Sequence, residues 1–247
     1  MPRLDLDLCQ RGLCDSRSLA ARMIREGYVS VNGTVCTKPS RAVAPDDVLA
    51  ICENPLTRYV SRGGLKLEAA LREFQVNPAG WICADLGAST GGFTHCLLQH
   101  GAKRVYAVEN GTAQLHPSLL TEERVISMEQ TDGRTVVLPE PMDLVVMDVS
   151  FISQSLFYPA VSRLLSPKGR LISLIKPQFE VGRGLVGSSG VVKNEKLRLE
   201  CIRRLEPESL RNGLKMIQTI RSPIEGGDGN MEYLALFAPT EGDGKER

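Results

Sequence analysis

From residue 81 to residue 176 the chain alternates short apolar runs with stretches long enough for a helix. The runs 81–86, 103–109, 125–128, 143–148 and 170–176 read as strands, with helices near 91–100, 154–165 and 194–211. Strands joined by helical crossovers run parallel, because each crossover carries the chain back to the same end of the sheet. The pattern therefore predicts a doubly wound α/β sheet. Two later runs, "LKMIQTIRS" and "MEYLALFA", are separated only by the turn-rich "PIEGGDGN" and should pair antiparallel. The expected fold class is a Rossmann-like sheet of parallel strands closed by an antiparallel last strand.

A chain of 247 residues accommodates one such domain plus a small appendage, and an apolar fraction of 42% supports a substantial core. No run approaches the roughly 18 to 20 apolar residues that span a bilayer, and "MPRLDLDLCQRG" lacks the apolar core of a secretory signal. A cytoplasmic protein without membrane contact is expected. The seven cysteines are scattered singly, with no C-x-x-C pair and an odd total, which fits reduced thiols. The three histidines are not spaced with them as zinc ligands, so no metal is expected. A net charge of +1 excludes a uniformly basic nucleic-acid binder; any polyanion contact has to come from local clustering.

Such a cluster opens the chain. Residues 1–41 carry Arg3, Arg11, Arg17, Arg22, Arg25, Lys38 and Arg41 against Asp5, Asp7, Asp15 and Glu26, a local +3. Asp15 or Ser16 can cap a helix whose Leu19, Ala20, Met23 and Ile24 share one face, and Gly27 can stop it. The arginines then fall outside that face. "YVSVNGTV" follows as two short strands around Asn32-Gly33, a strong hairpin signal. Charge alone does not separate a binding face from a solvated one. The segment "RLDLDLCQRGLCDSRSLAARMIREGYVSVNG" nevertheless resembles the RNA-binding fold named after ribosomal protein S-four. That resemblance implies a small α+β RNA-binding domain over 1–56, with Arg3, Arg11, Arg17, Arg22, Arg25 and Lys38 as candidate RNA contacts.

Residues 57–80 read as a connector and a first helix, with Leu67, Ala70, Leu71 and Phe74 at helical spacing after a glycine pair that suits a turn. The domain proper is expected over 81–240, and the tail "TEGDGKER" from 241 to 247 as disordered. The first strand ends in "CADLGASTGGFTHCLL", an acidic, glycine-rich turn at the place where open α/β sheets bind ligands. Asp85, Gly87, Ser89, Gly91, Gly92 and Phe93 are the cofactor-binding candidates here. A dinucleotide site would want G-x-G-x-x-G, yet Ser89 holds the middle glycine position. An acid before the first glycine suits the cationic S-adenosylmethionine, and an antiparallel closing pair is typical of methyltransferases. Glu109, ending "VYAVEN", is placed to accept ribose hydroxyls from either cofactor. Asp132 in "EQTDGR" can approach the adenine or simply form a turn before Gly133.

"MDLVVMDVSFIS" delivers Asp148 to another strand tip, and "RLISLIKPQFE" delivers Lys176 to the next. In the usual winding these are neighbours, which gives a half-buried lysine its reason. Lysine starts near a pKa of about 10.4, and desolvation or a second cation, for which Lys66 is the candidate, lowers it. A neutral Lys176 can act as general base; a charged one orients a hydroxyl and steadies the developing alkoxide.

Taken together, "YVSRGGLKLEAAL", "DLGASTGGFTHCLLQHGAKRVYAV", "DLVVMDVSFIS", "LIKPQFE" and "SPIEGGDGNMEYL" resemble the TlyA family, historically labelled hemolysins. The resemblance implies the RNA-binding module above joined to an FtsJ-like class I methyltransferase domain. It implies S-adenosylmethionine-dependent 2'-O-methylation of cytidine in ribosomal RNA, with ribosomal RNA or ribosomal subunits as partners and no protein partner. The family's Lys-Asp-Lys-Glu tetrad falls on Lys66, Asp148, Lys176 and Glu232; spacing alone does not select Glu232. Two departures stand out. "VENGTAQL" replaces the family's V-D-V-G-Y-G-Q-L, and "EQTD" replaces E-R-T-N, so contacts carried to Glu109 and Asp132 are altered. The competing readings are a non-catalytic ribosome-assembly factor that retains the cofactor fold, and a membrane-damaging protein. Four glycines between Gly182 and Gly190 suggest a mobile loop beside the site.

Overall fold

The computed structural model describes residues 1–52, 54, 57–182, 185–187 and 190–240. The chain forms two compact units, Met1–Arg58 and Tyr59–Arg247. The expected disordered tail, and Arg183, Gly184, Ser188 and Ser189 of the glycine-rich loop, lie outside the described residues.

In the first unit, α1 (Leu4–Gln10) and α2 (Arg17–Arg25) pack with a small antiparallel sheet of β1 (Val29–Val31), β2 (Thr34–Val35) and β3 (Leu49–Ile51), in the order β2-β1-β3. Ser16, rather than Asp15, caps α2 by accepting the Leu19 N–H at 3.3 Å. Asn32 and Gly33, at φ +52° and +77°, make the hairpin turn foreseen for them. Strand β3 was not foreseen, because three residues are too few to display a period. Leu4, Leu8, Ala20, Met23, Ile24 and Val29 are fully buried and form the core.

Most of the arginines expected to meet RNA have partners inside this unit. Arg3 and Arg17 both bind the buried Asp5, at 2.9 and 3.0 Å. The hydrogen bond from Arg3 leads the causes that hold the Asp5 carboxyl down to about 2. Arg11 pairs with Asp7 at 2.6 Å and donates to the backbone oxygens of Asp47 and Ala44. Arg22 pairs with Glu26 at 2.8 Å. Arg25 and Lys38 are exposed and have no ion pair among the described residues.

The second unit contains α3 (Gly63–Glu73), β4 (Ile82–Leu86), α4 (Gly92–Gln99), β5 (Arg104–Val108), α5 (Pro117–Leu120), β6 (Val125–Met128) and β7 (Met142–Met147). These are followed by α6 (Tyr158–Leu164), β8 (Leu165–Ile175), α7 (Pro177–Glu180), α8 (Glu195–Arg211), β9 (Leu214–Arg221) and β10 (Tyr233–Pro239). The seven strands order as β6-β5-β4-β7-β8-β10-β9. Strands β4 to β8 pair in parallel, while β10 pairs antiparallel with both β8 and β9, so only β10 is reversed.

Successive residues of each central strand feed opposite faces. Ala84, Leu86, Val145, Met147 and Leu171 pack with Tyr158, Val161 and Leu205 from α6 and α8. Cys83, Leu144, Val146 and Ile172 pack with Leu67, Leu71, Phe93 and Leu97 from α3 and α4. Burial on both faces explains the nearly unbroken apolar run of β7.

Three expectations need correction. The glycine pair Gly63-Gly64 does not precede the helix as a turn; it forms the first turn of α3. A Cβ on Gly64 would strike the Tyr59 ring, and one on Gly92 would come within 3.0 Å of the Gly64 nitrogen, so the glycines let the starts of α3 and α4 pack closely. Strand β8 begins at Leu165 instead of residue 170, with an irregularity where Met142 and Leu144 of β7 face Leu165 and Arg170. The stretch 154–165 is a 3-10 turn over Gln154–Phe157 that continues into α6.

Candidate active site

Because β4, β5, β7 and β8 are parallel, their carboxyl ends share one edge of the sheet. Asp85 is carried there by β4, Glu109 follows β5, Asp148 follows β7 and Lys176 follows β8. The reversed β10 brings its amino end to that edge: Tyr233 pairs with Ile175, which sets Glu232 beside Lys176. Lys66 arrives from the first turns of α3.

These side chains form two ion pairs. Lys66 Nζ lies 2.5 Å from Glu232 Oε2, with both side chains buried. Lys176 Nζ lies 2.5 Å from Asp148 Oδ1 and donates a directed hydrogen bond to Ser150 Oγ at 2.7 Å. The Asp148 contact is an ion pair by distance but lacks hydrogen-bond angles, so this carboxylate oxygen retains acceptor capacity. The tetrad named from the sequence is thus brought together as Lys66–Glu232 and Lys176–Asp148. Lys66 has its own carboxylate partner rather than standing as a bare cation.

Asp85 is fully buried. Its Oδ2 accepts the Thr94 N–H at 2.9 Å and the Thr94 hydroxyl at 2.7 Å, while Oδ1 has no partner. Burial is the main cause that pushes its carboxyl up to about 7, and nearby Asp148 and Glu109 add to it against the Thr94 bonds. An ionised carboxylate here lacks one hydrogen-bond donor.

Two cavities meet around Gly87, Ser89 and Asp148. One, of about 210 Å³, is lined by Lys66, Asp85, Gly92 and Phe93 among others. The second, of about 550 Å³, runs past Glu109, Gln114, Asp132 and Phe157. Gly87, at φ +84°, allows the turn to pass the Asp148 carbonyl, which a Cβ would approach to 2.7 Å. Glu109 already accepts the Ser89 N–H at 2.9 Å and the Gly111 N–H at 2.8 Å, one on each oxygen. Each oxygen keeps a further lone pair without a partner among these bonds. A third cavity, of about 360 Å³, is lined by Lys176, Glu232, Phe151, Phe179 and Gln178. Phe151 is 91% exposed at φ +67°, with its ring centroid 5.1 Å from that of Phe179.

Not every candidate faces these spaces. Gly91 instead closes on Leu115 and Leu119, where a Cβ would come within 2.7 Å of the Leu115 side chain. Asp132 lines the second cavity, but its carboxylate is clamped by Arg134 and its carbonyl accepts the Thr135 and Val136 amides, as a turn aspartate does. Among the described residues, no group of three or more His, Cys, Asp or Glu side chains could hold a metal ion.

Sequence reasoning missed Ser61 and Arg62, which line the first cavity just ahead of α3. Their signal was their position before the glycine pair. It also missed Glu180. This half-buried carboxylate accepts the Ser153 hydroxyl at 2.7 Å and the Gln154 N–H at 2.9 Å, tying the loop after β7 to the turn after β8.

Comparison with known proteins agrees with this architecture. Residues 59–238 match the FtsJ-like methyltransferase family and residues 2–49 match the S4 domain. The 16S/23S rRNA (cytidine-2'-O)-methyltransferase TlyA of Mycobacterium tuberculosis is 40% identical over 98% of this chain and 91% of its own length. Hemolysin A of Brachyspira hyodysenteriae is 39% identical over 95% of this chain and 99% of its own. A solved structure from Streptococcus thermophilus that carries the hemolysin name superposes with a TM-score of 0.76 at 38% identity, covering 97% of this chain and 88% of that one. The chain belongs to the TlyA family, with an S4 domain ahead of an FtsJ-like methyltransferase domain.

Proposed function

We propose that the protein methylates a ribose 2'-hydroxyl of cytidine in ribosomal RNA, using S-adenosylmethionine, in the cytoplasm. The observation that carries this reading is the Lys176–Asp148 pair at 2.5 Å on adjoining strand tips, beside a glycine-walled cavity with an unsatisfied buried carboxylate. The residues fit the cofactor on their own chemistry. Asp85 Oδ1 lacks a donor, Gly87 lets the backbone come close, and Glu109 offers acceptors to a diol. Asp85, Gly87, Ser89, Gly92, Phe93 and Glu109 would hold it, with Asp132 as part of the wall only. When bound, S-adenosylmethionine supplies a methyl group already activated by its sulfonium.

The chain's own task is then alignment and proton handling. Lys176 Nζ is held by its hydrogen bond to Ser150 Oγ and by the charge of Asp148, which leaves donor capacity for a substrate hydroxyl. Asp148 lines both cofactor-side cavities, so the held oxygen is brought next to the cofactor site. The proton released on alkylation passes to the Lys176–Asp148 couple. Lys66 lines the first cavity with its charge already matched by Glu232. The 2'-hydroxyl also distinguishes RNA from DNA. The S4 domain supplies phosphate contacts, which make affinity salt-dependent.

The test is methyl transfer from tritiated cofactor to ribosomal subunits. Wild-type protein should label a ribose, and Lys176→Ala should not. Equal labelling by both proteins, or label found on a base, would remove this assignment. Cofactor binding with no turnover on any subunit would turn the reading to an assembly factor. Dye release from protein-free liposomes would turn it to membrane damage, although no helix among the described residues is long and apolar enough to cross a membrane.

A further inference from the structure

A ribose hydroxyl held at Lys176 brings the base of the same nucleotide close by. The 360 Å³ cavity that Lys176 lines has walls suited to a base: the rings of Phe151 and Phe179 form its apolar part, and bases stack on aromatic rings. Part of its polar lining is already committed. Lys176 donates to Ser150, and Glu232 is paired with Lys66. That leaves Gln178 and Asp228, whose side chains make no hydrogen bond or ion pair among the described residues. Gln178 Oε1 is shielded from solvent without a donor, an arrangement that costs free energy until a donor arrives. Rotation about the broad terminal torsion of the glutamine turns its carboxamide into the cavity.

A carboxamide alone suits either pyrimidine, because it can present its oxygen or its NH₂. Asp228 removes that freedom, since a carboxylate only accepts. Cytosine carries an exocyclic amine with two hydrogens, whereas uracil carries an acceptor oxygen at the same place, which a carboxylate disfavours. The carboxylate also repels phosphate, so this wall suits a base and not the RNA backbone. We infer that Asp228 and Gln178 select cytosine over uracil at the methylated nucleotide, each accepting one hydrogen of its exocyclic amine. The inference rests on the methyl-transfer reading above and adds two residues that set the choice of base. Neither residue lines the two cavities around Gly87.

The test compares two forms of the ribosomal subunit. The nucleotide that the wild-type protein labels is mapped, and subunits are prepared with uridine in its place. Wild type should favour the cytidine subunits in kcat/KM by about a hundredfold or more. Asp228→Asn, whose NH₂ can donate to the uracil oxygen, should cut that ratio about ten- to a hundredfold, chiefly by gaining rate on uridine. Gln178→Leu should lose about ten- to a hundredfold in kcat/KM on the cytidine subunits. Both variants should bind S-adenosylhomocysteine as wild type does in calorimetry, which shows that they are folded. A mapped nucleotide other than cytidine, or equal wild-type rates on the two subunits, overturns the inference. So does a wild-type ratio in Asp228→Asn, or a wild-type rate on cytidine in Gln178→Leu; either result leaves the methyltransferase reading in place. Should wild type label neither form, that reading falls, and the base selection with it.

Discussion

Lys66 and Glu232 stand 166 positions apart in the chain, yet their ammonium and carboxylate meet at 2.5 Å with both side chains buried. The contact joins the first turns of α3 to the amino end of β10, and so fastens the helix to the reversed strand. Burying two charges is costly, and leaving one without the other costs more. Lys66→Met should therefore destabilise the second unit by about 3–5 kcal/mol in urea unfolding, as should Glu232→Ala. The double variant Lys66→Met with Glu232→Leu should recover most of that loss while remaining inactive in methyl transfer. Single variants within about 0.5 kcal/mol of wild type would show that the pair carries no structural weight.

Asp85 gives the site a pH dependence. Its carboxyl is raised to about 7 from an ordinary 3.8. The folded state thus binds this proton more tightly than the unfolded chain, and stability falls as pH rises between those values. The span corresponds to about 4 kcal/mol. Asp85→Asn should abolish this slope, making the variant the more stable protein above neutrality. Cofactor affinity should move the other way. A cationic ligand favours the ionised carboxylate, so affinity for S-adenosylmethionine should rise about tenfold per pH unit up to about 7 and then level off. A flat calorimetric profile in the wild type would contradict this account.

For RNA binding, the ion pairs of the first unit divide the basic residues into two groups. Arg25 and Lys38 are exposed without ion-pair partners among the described residues, whereas Arg11 is committed to Asp7, Asp47 and Ala44. Arg25→Gln and Lys38→Gln should each weaken binding to ribosomal subunits and lower the salt slope by about one, with little change in thermal stability. Arg11→Ala should instead lower the stability of the unit, because it leaves a buried acid and two carbonyls without their donor. Filter binding across a salt series, alongside thermal melts, separates the outcomes. A salt slope unchanged by both exposed-site variants would remove that surface from the interface.

What was legible in the sequence followed from periodicity. Asp85, Asp148 and Lys176 end apolar runs, and parallel strands place run ends on one edge, so their convergence could be read from the pattern. Glu232 could not, because β10 inserts between β8 and β9, and an order that departs from chain order leaves no trace in spacing. The family resemblance supplied it. The glycine pair before Lys66 was misread because glycine propensity argues against a helix, whereas Tyr59 and the start of α4 demand residues without a Cβ. Charge counting likewise overstated the basic face. The Arg11–Asp7 and Arg22–Glu26 pairs sit at helical i, i+4 spacing and were visible in principle, but the pairing of Arg3 and Arg17 on Asp5 depends on how α1 packs with α2.

Glu180 is the acid whose role is positional. It touches neither cavity lysine, but it holds Ser153 and Gln154 from the end of α7, so the loop that carries Asp148 and the turn that follows Lys176 share one fastening. Burial raises its carboxyl above the ordinary range, against the opposing effect of those two hydrogen bonds. Glu180→Ala leaves the Gln154 amide without an acceptor, at about 1–3 kcal/mol, and frees the Ser153 hydroxyl to turn to Ser155 Oγ at 2.9 Å. Glu180→Gln retains an oxygen for the Gln154 amide and an NH₂ that can donate to Ser153 Oγ. The alanine variant should therefore lose about tenfold or more in kcat at unchanged affinity for S-adenosylhomocysteine, since misplacement of the Lys176–Asp148 couple affects alignment and not the cofactor cavities. The glutamine variant should recover most of that rate. If both variants lose rate and cofactor affinity in equal measure, Glu180 supports the fold at large and does not set the geometry of the pair.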